Sequence, residues 1–192
     1  MTSNDLYLLL PELSLASFAM LLILLGSFFQ LRKILAVVSV LGLVVPLLFT
    51  LMLLLDLESG SIDGHNVIRV GALETFVVDK FSLFFKFLFL TVATVFILIS
   101  TEHLKRMESF SAEYYALVLF STTGMMLLCS AVELITIYIS LELATLPVVA
   151  LTAFLRDARS SESGMKFLIL SGISSAFLLY GMVLVWRART YF

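Results

Sequence analysis

One glutamate stands alone inside a long apolar stretch. Between Glu133 and Arg156 lie 22 residues whose single charged member is Glu142. A helix over 134–155 has its midpoint near Ala144, which at 1.5 Å per residue puts Glu142 within about 4 Å of a bilayer centre. An acidic group there costs ~2.5–3.5 kcal/mol on insertion scales, and such residues face a bundle interior or a water-filled path. Low dielectric favours the neutral form of a carboxyl, so two chemistries fit. Glu142 takes up and releases a proton as a relay member, or it stays neutral and hydrogen-bonds a neighbouring helix. Pro147, five residues on, lacks the amide that would bond the Leu143 carbonyl. That predicts a kink and a free acceptor beside Glu142 where a water could sit, although proline is also simply commoner in membrane helices. Tyr138 and Thr145, at i−4 and i+3, share the face of Glu142 and are placed to bond its carboxyl or such a water.

A second candidate is Lys166, four residues after Glu162 in Ser160-Ser161-Glu162-Ser163-Gly164-Met165-Lys166. Read plainly, Ser160 caps a helix start and Glu162 pairs with Lys166 at the interface. Read more sharply, Lys166 is a cation pointing into the bundle. Ser171, Gly172, Ser174, Ser175 and Ala176 follow, with Gly172 and Ala176 spaced for close helix packing. Glu12, Glu113 and Glu133 fall at span ends and read as solvated. Met125 and Met126 read as packing, and Cys129 as an inert buried thiol. One cysteine excludes an intrachain disulfide, and His65 and His103 match no zinc spacing, so neither metal nor redox centre is expected.

These groups need helices to hold them. The chain has 192 residues, 61% hydrophobic and only 14% charged, where a soluble domain carries about 25% charge. A net charge of −2 leaves no basic surplus for nucleic acid. Gaps between charges divide the chain: 19 uncharged residues between Glu12 and Arg32, 22 between Lys33 and Asp56, 19 between Glu113 and Glu133, and 20 between Lys166 and Arg187. The gap from Lys86 to Glu102 has only 15, so a span there must take in Phe81 to Phe85, with Lys86 snorkelling to the interface. About 20 apolar residues cross a ~30 Å hydrocarbon core, and in lipid only helices satisfy their own backbone when no barrel pattern is present. The expected fold is an all-α membrane bundle of about six transmembrane helices, one domain over 1–192, with spans near 8–30, 34–55, 81–101, 114–132, 134–155 and 166–186. Without a basic n-region the first span reads as a mature helix. From Val67 to Val78 the chain is β-branched about Gly71, which predicts a short hairpin over the helix ends.

Orientation follows from the cations. Arg32, Lys33, Lys105, Arg106, Arg156, Arg159 and Lys166 fall on one side, and Arg69, Lys80, Lys86, Arg187 and Arg189 on the other. The positive-inside rule then places both termini outside, with the tail cations as the anomaly.

Gly124-Met125-Met126-Leu127-Leu128, Glu133-Leu134-Ile135-Thr136-Ile137-Tyr138 and Leu141-Glu142-Leu143-Ala144-Thr145-Leu146-Pro147 closely resemble the fourth and fifth helices of subunit N of bacterial respiratory complex I, the counterpart of mitochondrial subunit 2. The resemblance extends through Glu162-Ser163-Gly164-Met165-Lys166-Phe167 and Leu178-Leu179-Tyr180-Gly181, and back to Leu10-Pro11-Glu12 and the Asp79 to Phe84 stretch. It implies an antiporter-like fold and a proton-translocating subunit of the bacterial cytoplasmic (inner) membrane. Such a subunit has no redox centre of its own; NADH and quinone are used by the whole complex. It further implies Glu142 and Lys166 as proton-transfer residues, Glu162 as the acidic neighbour, and other membrane-arm subunits and lipid as partners. A cation/proton antiporter subunit and a non-translocating scaffold remain the alternatives. The family continues with helices carrying central lysines, whereas this sequence ends at Val185-Trp186-Arg187-Ala188-Arg189-Thr190-Tyr191-Phe192. Two expectations follow: the missing C-terminal half is encoded separately and is then a further partner, or the chain is a truncated product.

Overall fold

A computed structural model describes residues 7–28, 32–59, 67–70, 75–103, 111–155 and 157–191. Among these, six helices run in order: α1 (Leu10–Phe28), α2 (Arg32–Ser59), α3 (Lys80–His103), α4 (Ser111–Ser130), α5 (Leu134–Thr152) and α6 (Ala158–Tyr191). Five are long and apolar enough to cross a membrane, and α1 carries a shorter apolar run, Leu10–Gly26. The fold is an all-α membrane bundle. Lys105, Arg106 and Arg156, the side chains of Arg32, Lys33, Arg69 and Arg189, and the stretch around Gly71 lie outside the described residues.

The hairpin is present. Strands β1 (Val67–Val70) and β2 (Phe76–Asp79) pair antiparallel, with Val67 opposite Asp79 and Val70 opposite Phe76. β2 is tied to the end of α4 by a Phe76–Ala131 bridge and by the Val132 amide, which donates to the Thr75 carbonyl at 3.0 Å. Asp79 then starts α3: its Oδ1 accepts from the Ser82 amide at 2.7 Å, and its own amide donates to Ser82 Oγ at 3.0 Å. This reciprocal pair satisfies donors that a helix start otherwise leaves bare. Tyr7 donates to Asp56 Oδ2 at 2.7 Å, joining the entry to α1 with the end of α2 at this hairpin end.

The helix at the centre is α4, the least apolar of the five and the most buried. Its hydroxyls explain how a polar sequence is tolerated there. Thr122 and Thr123 donate to the carbonyls of Val118 and Leu119 on their own helix, at 2.8 and 2.9 Å, so neither hydroxyl is left bare. Leu15, Leu22, Leu43, Leu90, Ile97, Leu119 and Met126 from α1 to α4 form the main core. Met126 is thus a packing residue, as read from the sequence. Outward-facing Leu, Ile, Val and Phe remain exposed on every side, the pattern of a protein solvated by lipid.

Two sequence expectations fail at the hairpin end. Glu12 is not a solvated helix end: it is 2% exposed, and its Oε1 lies 2.7 Å from the Nζ of Lys86. Lys86 does not snorkel, because its side chain is 0% exposed and turns towards α1. Each charge offers the other a partner that neither could reach in its own helix, and leaving either one alone in an apolar interior costs more. Glu113 and Glu133 are exposed as expected. Cys129 is partly buried, with Sγ 3.0 Å from the Met126 carbonyl.

Candidate functional site

Glu142 is the ninth of the 19 residues of α5, about 12 Å along a helix of about 28 Å. Two neighbouring helices position it. On one side Gly124 of α4 brings the backbones of α4 and α5 into contact. A Cβ added there would lie 2.6 Å from the Leu143 carbonyl carbon. One turn earlier, Ser121 donates to the Ala144 carbonyl at 2.8 Å. The cross-helix donor therefore reaches Ala144 rather than the Leu143 acceptor expected from Pro147, which is itself buried in the bundle.

On the other side lies α6. Ser175 Oγ donates to Glu142 Oε1 in a hydrogen bond that joins the middles of the two helices. Tyr138 and Thr145, expected at the carboxyl, do not supply its partner. Thr145 Oγ1 donates to the Leu141 carbonyl of its own helix at 3.0 Å, the habit of a hydroxyl inside a helix. Tyr138 lines a separate cleft of about 490 Å³ with Glu133, Leu179 and Trp186. Ser175 was legible only as one member of a small-residue run, because nothing in a single sequence tells which face of α6 meets α5.

The run itself packs differently from the expectation. A Cβ on Gly172 would meet nothing within 4 Å, and Ala176 is exposed. The seam against α5 is instead Ser160, Gly164, Phe167, Ser171 and Ser175, a three-to-four-residue spacing that keeps one face inward. Gly164 sits 2.6 Å, measured from an added Cβ, from Ala153 Cβ. The helix start is also earlier than expected. Asp157 Oδ1 accepts from the Ser160 amide at 2.7 Å, so Asp157 is the cap, while Ser160 Oγ donates back to the Thr152 carbonyl. Starting at Ala158, α6 extends eight residues before Lys166.

Lys166 Nζ contacts Glu162 Oε1 at 2.5 Å with side chains 74% and 65% exposed. Nine residues separate Lys166 from Ser175, about 13 Å of helix, so the lysine is not a neighbour of Glu142 within this chain. Among the described residues no group of three or more His, Cys, Asp or Glu converges as a metal site. The Glu142–Ser175 pair brings a carboxyl and a hydroxyl together. It can hold a proton at mid-helix depth on Glu142, and the Ser175 hydroxyl can donate to the carboxylate or accept from the acid.

Comparison with known proteins bears directly on this pair of helices. The family described as NADH:quinone oxidoreductase/Mrp antiporter, TM, matches residues 130–191, which hold α5 and α6. NADH-quinone oxidoreductase subunit N of Dehalococcoides mccartyi is 34% identical over 180 residues, 93% of this chain and 35% of that protein. The chain is similar to subunit N over nearly all of its own length. The same-named protein of Erythrobacter litoralis is 37% identical over 183 residues, 95% of this chain and 37% of its own length. The F(420)H(2) dehydrogenase subunit N of Methanosarcina mazei is 33% identical over 188 residues, 96% and 37% of the two chains. Among solved structures, a chain of respiratory complex I from Thermus thermophilus with bound aureothin superposes with a TM-score of 0.72 at 29% identity. That match covers 93% of this chain and 36% of the other. The chain thus spans about a third of the length of these relatives.

The close approach at Gly124 carries a prediction. Gly124→Ala forces a methyl into the α5 backbone beside Leu143 and Ala144, where no flexible side-chain end can yield. Overpacking of this kind costs about 1–3 kcal/mol. Thermal unfolding of the chain in detergent should show the loss, and Gly172→Ala, which meets open space, should show none.

Proposed function

We propose that this chain is the part of a proton-translocating membrane-arm subunit that carries the Glu142 carboxyl, in a complex that couples quinone reduction to proton movement. The observation that carries the reading is the placement of Glu142 midway along α5, bonded by Ser175 of α6, within the segment matched by the NADH:quinone oxidoreductase/Mrp antiporter family. Lys166 and Glu162 act near the start of α6 as a charge pair able to exchange a proton with groups outside this chain. The relatives named above include subunits of both an NADH and an F(420)H(2) enzyme at nearly equal identity. That supports an electron donor handled elsewhere in the complex, with no redox cofactor on this chain. The partners in this reading are other membrane-arm subunits, and the location is a cytoplasmic membrane crossed six times.

The wording of the matched family, which includes Mrp antiporters, supports a second reading as a subunit of a cation/proton antiporter. Co-purification of iron-sulfur and flavin subunits with the chain is expected for the first reading and excludes the second. A scaffold that moves nothing predicts full pumping after Glu142→Gln.

Two further outcomes follow. With both termini outside, a cysteine at Ser3 reacts with an impermeant reagent in intact cells and one at Arg156 does not; labelling of the second from outside would reverse the topology. The 192-residue chain reconstituted alone in liposomes should give no Glu142-dependent proton flux. The buried Lys86 is committed to Glu12, and Lys166 is about 13 Å along α6 from Ser175, so Glu142 lacks a close basic partner among the described residues. Flux from the isolated chain would show that no such partner is needed.

A further inference from the structure

The proton-relay reading leaves one buried charged site unused. Glu12 and Lys86 meet at 2.7 Å near the hairpin end of α1 and α3. Apolar layers lie on both sides of them. Leu8, Leu53, Val78 and Leu83 pack together towards the hairpin, and Leu15 and Leu90 belong to the main core on the other side.

The contact brings opposite charges together without completing their hydrogen bonds. Neither Glu12 oxygen nor Lys86 Nζ makes a well-angled hydrogen bond to another described group. Ser130 Oγ, at the hairpin end of α4, is buried in the same condition. An ammonium has three donors and a carboxylate about four acceptor positions, so most of this capacity meets no described protein atom. In apolar surroundings that costs the desolvation penalty of each group, and proteins ordinarily meet it with bound water held by two to four polar partners. Water also fits the electrostatics. The two charges cancel, so an additional ion would enter the site uncompensated, whereas a water donates to Glu12 and accepts from Lys86.

We propose that Glu12 and Lys86, with Ser130, form an internal water-binding site between the hairpin ends of α1, α3 and α4. It is separate from the Glu142 site and does not depend on the function assigned to it.

Cys129 is a built-in reporter. It adjoins Ser130, and its Sγ lies 3.6 Å from the carbonyl of Ser82, one turn before Lys86. The full chain in lipid nanodiscs is given a brief X-ray pulse in isotope-labelled water, and oxygen incorporated at Cys129 is read by mass spectrometry. The expected result is incorporation at Cys129 several-fold above that at lipid-facing Met20, falling to the Met20 level in Glu12→Leu/Lys86→Met, whose apolar side chains leave nothing to hold water. A wild-type Cys129 no more labelled than Met20 means a dry ion pair and overturns the site. Equal labelling in wild type and double variant means that water arrives without the pair, and overturns it equally. If the double variant does not accumulate, the wild-type comparison alone decides between a wet site and a dry one.

Discussion

Glu142→Gln, introduced into the assembled complex, is expected to lower proton pumping by roughly tenfold or more while leaving assembly intact. Positioned proton donors and acceptors contribute about 10²–10⁴-fold to the steps they serve, and an amide of the same shape cannot take their place. The amide still accepts the Ser175 hydrogen bond, so the α5–α6 contact survives and the loss isolates proton transfer from packing. Glu133→Gln is the internal comparison. Its carboxyl is exposed at the start of α5, where water already reaches it, and pumping should stay close to wild type. Ser175→Ala should fall between the two. It removes one hydrogen bond, worth about 1 kcal/mol and so about fivefold at most in the step it supports, without removing the titratable group. Pumping and quinone reductase activity measured together in vesicles check all three. Equal losses for Glu142→Gln and Glu133→Gln at matched assembly would remove the relay role.

The second large effect is on stability. Lys86→Met leaves the Glu12 carboxyl buried at 2% exposure with no cation opposite, and Glu12→Leu leaves the Lys86 ammonium in the same position. Breaking a buried pair from one side costs roughly 3–5 kcal/mol, because the surviving charge keeps its desolvation penalty and loses its compensation. The double variant Glu12→Leu/Lys86→Met removes both penalties and should unfold near the wild-type point, since apolar replacement of a whole buried pair is often neutral or stabilising. Denaturant titration of the four proteins in one detergent gives the cycle. Additive losses in the double variant would mean that the two side chains act independently and that the 2.7 Å contact is not what stabilises either.

Much of this molecule is written in local pattern. Runs of 19 to 22 uncharged residues require helices in lipid, and that requirement holds whatever the helices later touch. The depth of Glu142 follows from counting along one run, and the hairpin from β-branched residues either side of a turn. Asp157 as the cap of α6 was also within reach of the sequence, since aspartate favours that position as much as the serine three residues on.

Partners across helices are a different matter. Glu12 reads as a helix-end carboxylate and Lys86 as a snorkelling lysine because each is judged by its distance from the end of its own helix. Packing of α1 against α3 and α4 decides that both turn inward, and 74 positions of sequence separation conceal the pairing. Tyr138 and Thr145 have the right spacing to bond Glu142, yet Ser175, 33 residues away, supplies the bond. In a helix that is apolar on nearly every face, apolar periodicity no longer marks the buried one, as the exposure of Leu and Ile around α6 shows. Composition and charge spacing thus determined that the chain is a membrane bundle with a carboxyl at mid-depth. The rotation of each helix about its axis, which chooses the partner of every buried polar group, is set by small-residue contacts such as Gly124 on Leu143 and Gly164 on Ala153, and only the tertiary structure contains it.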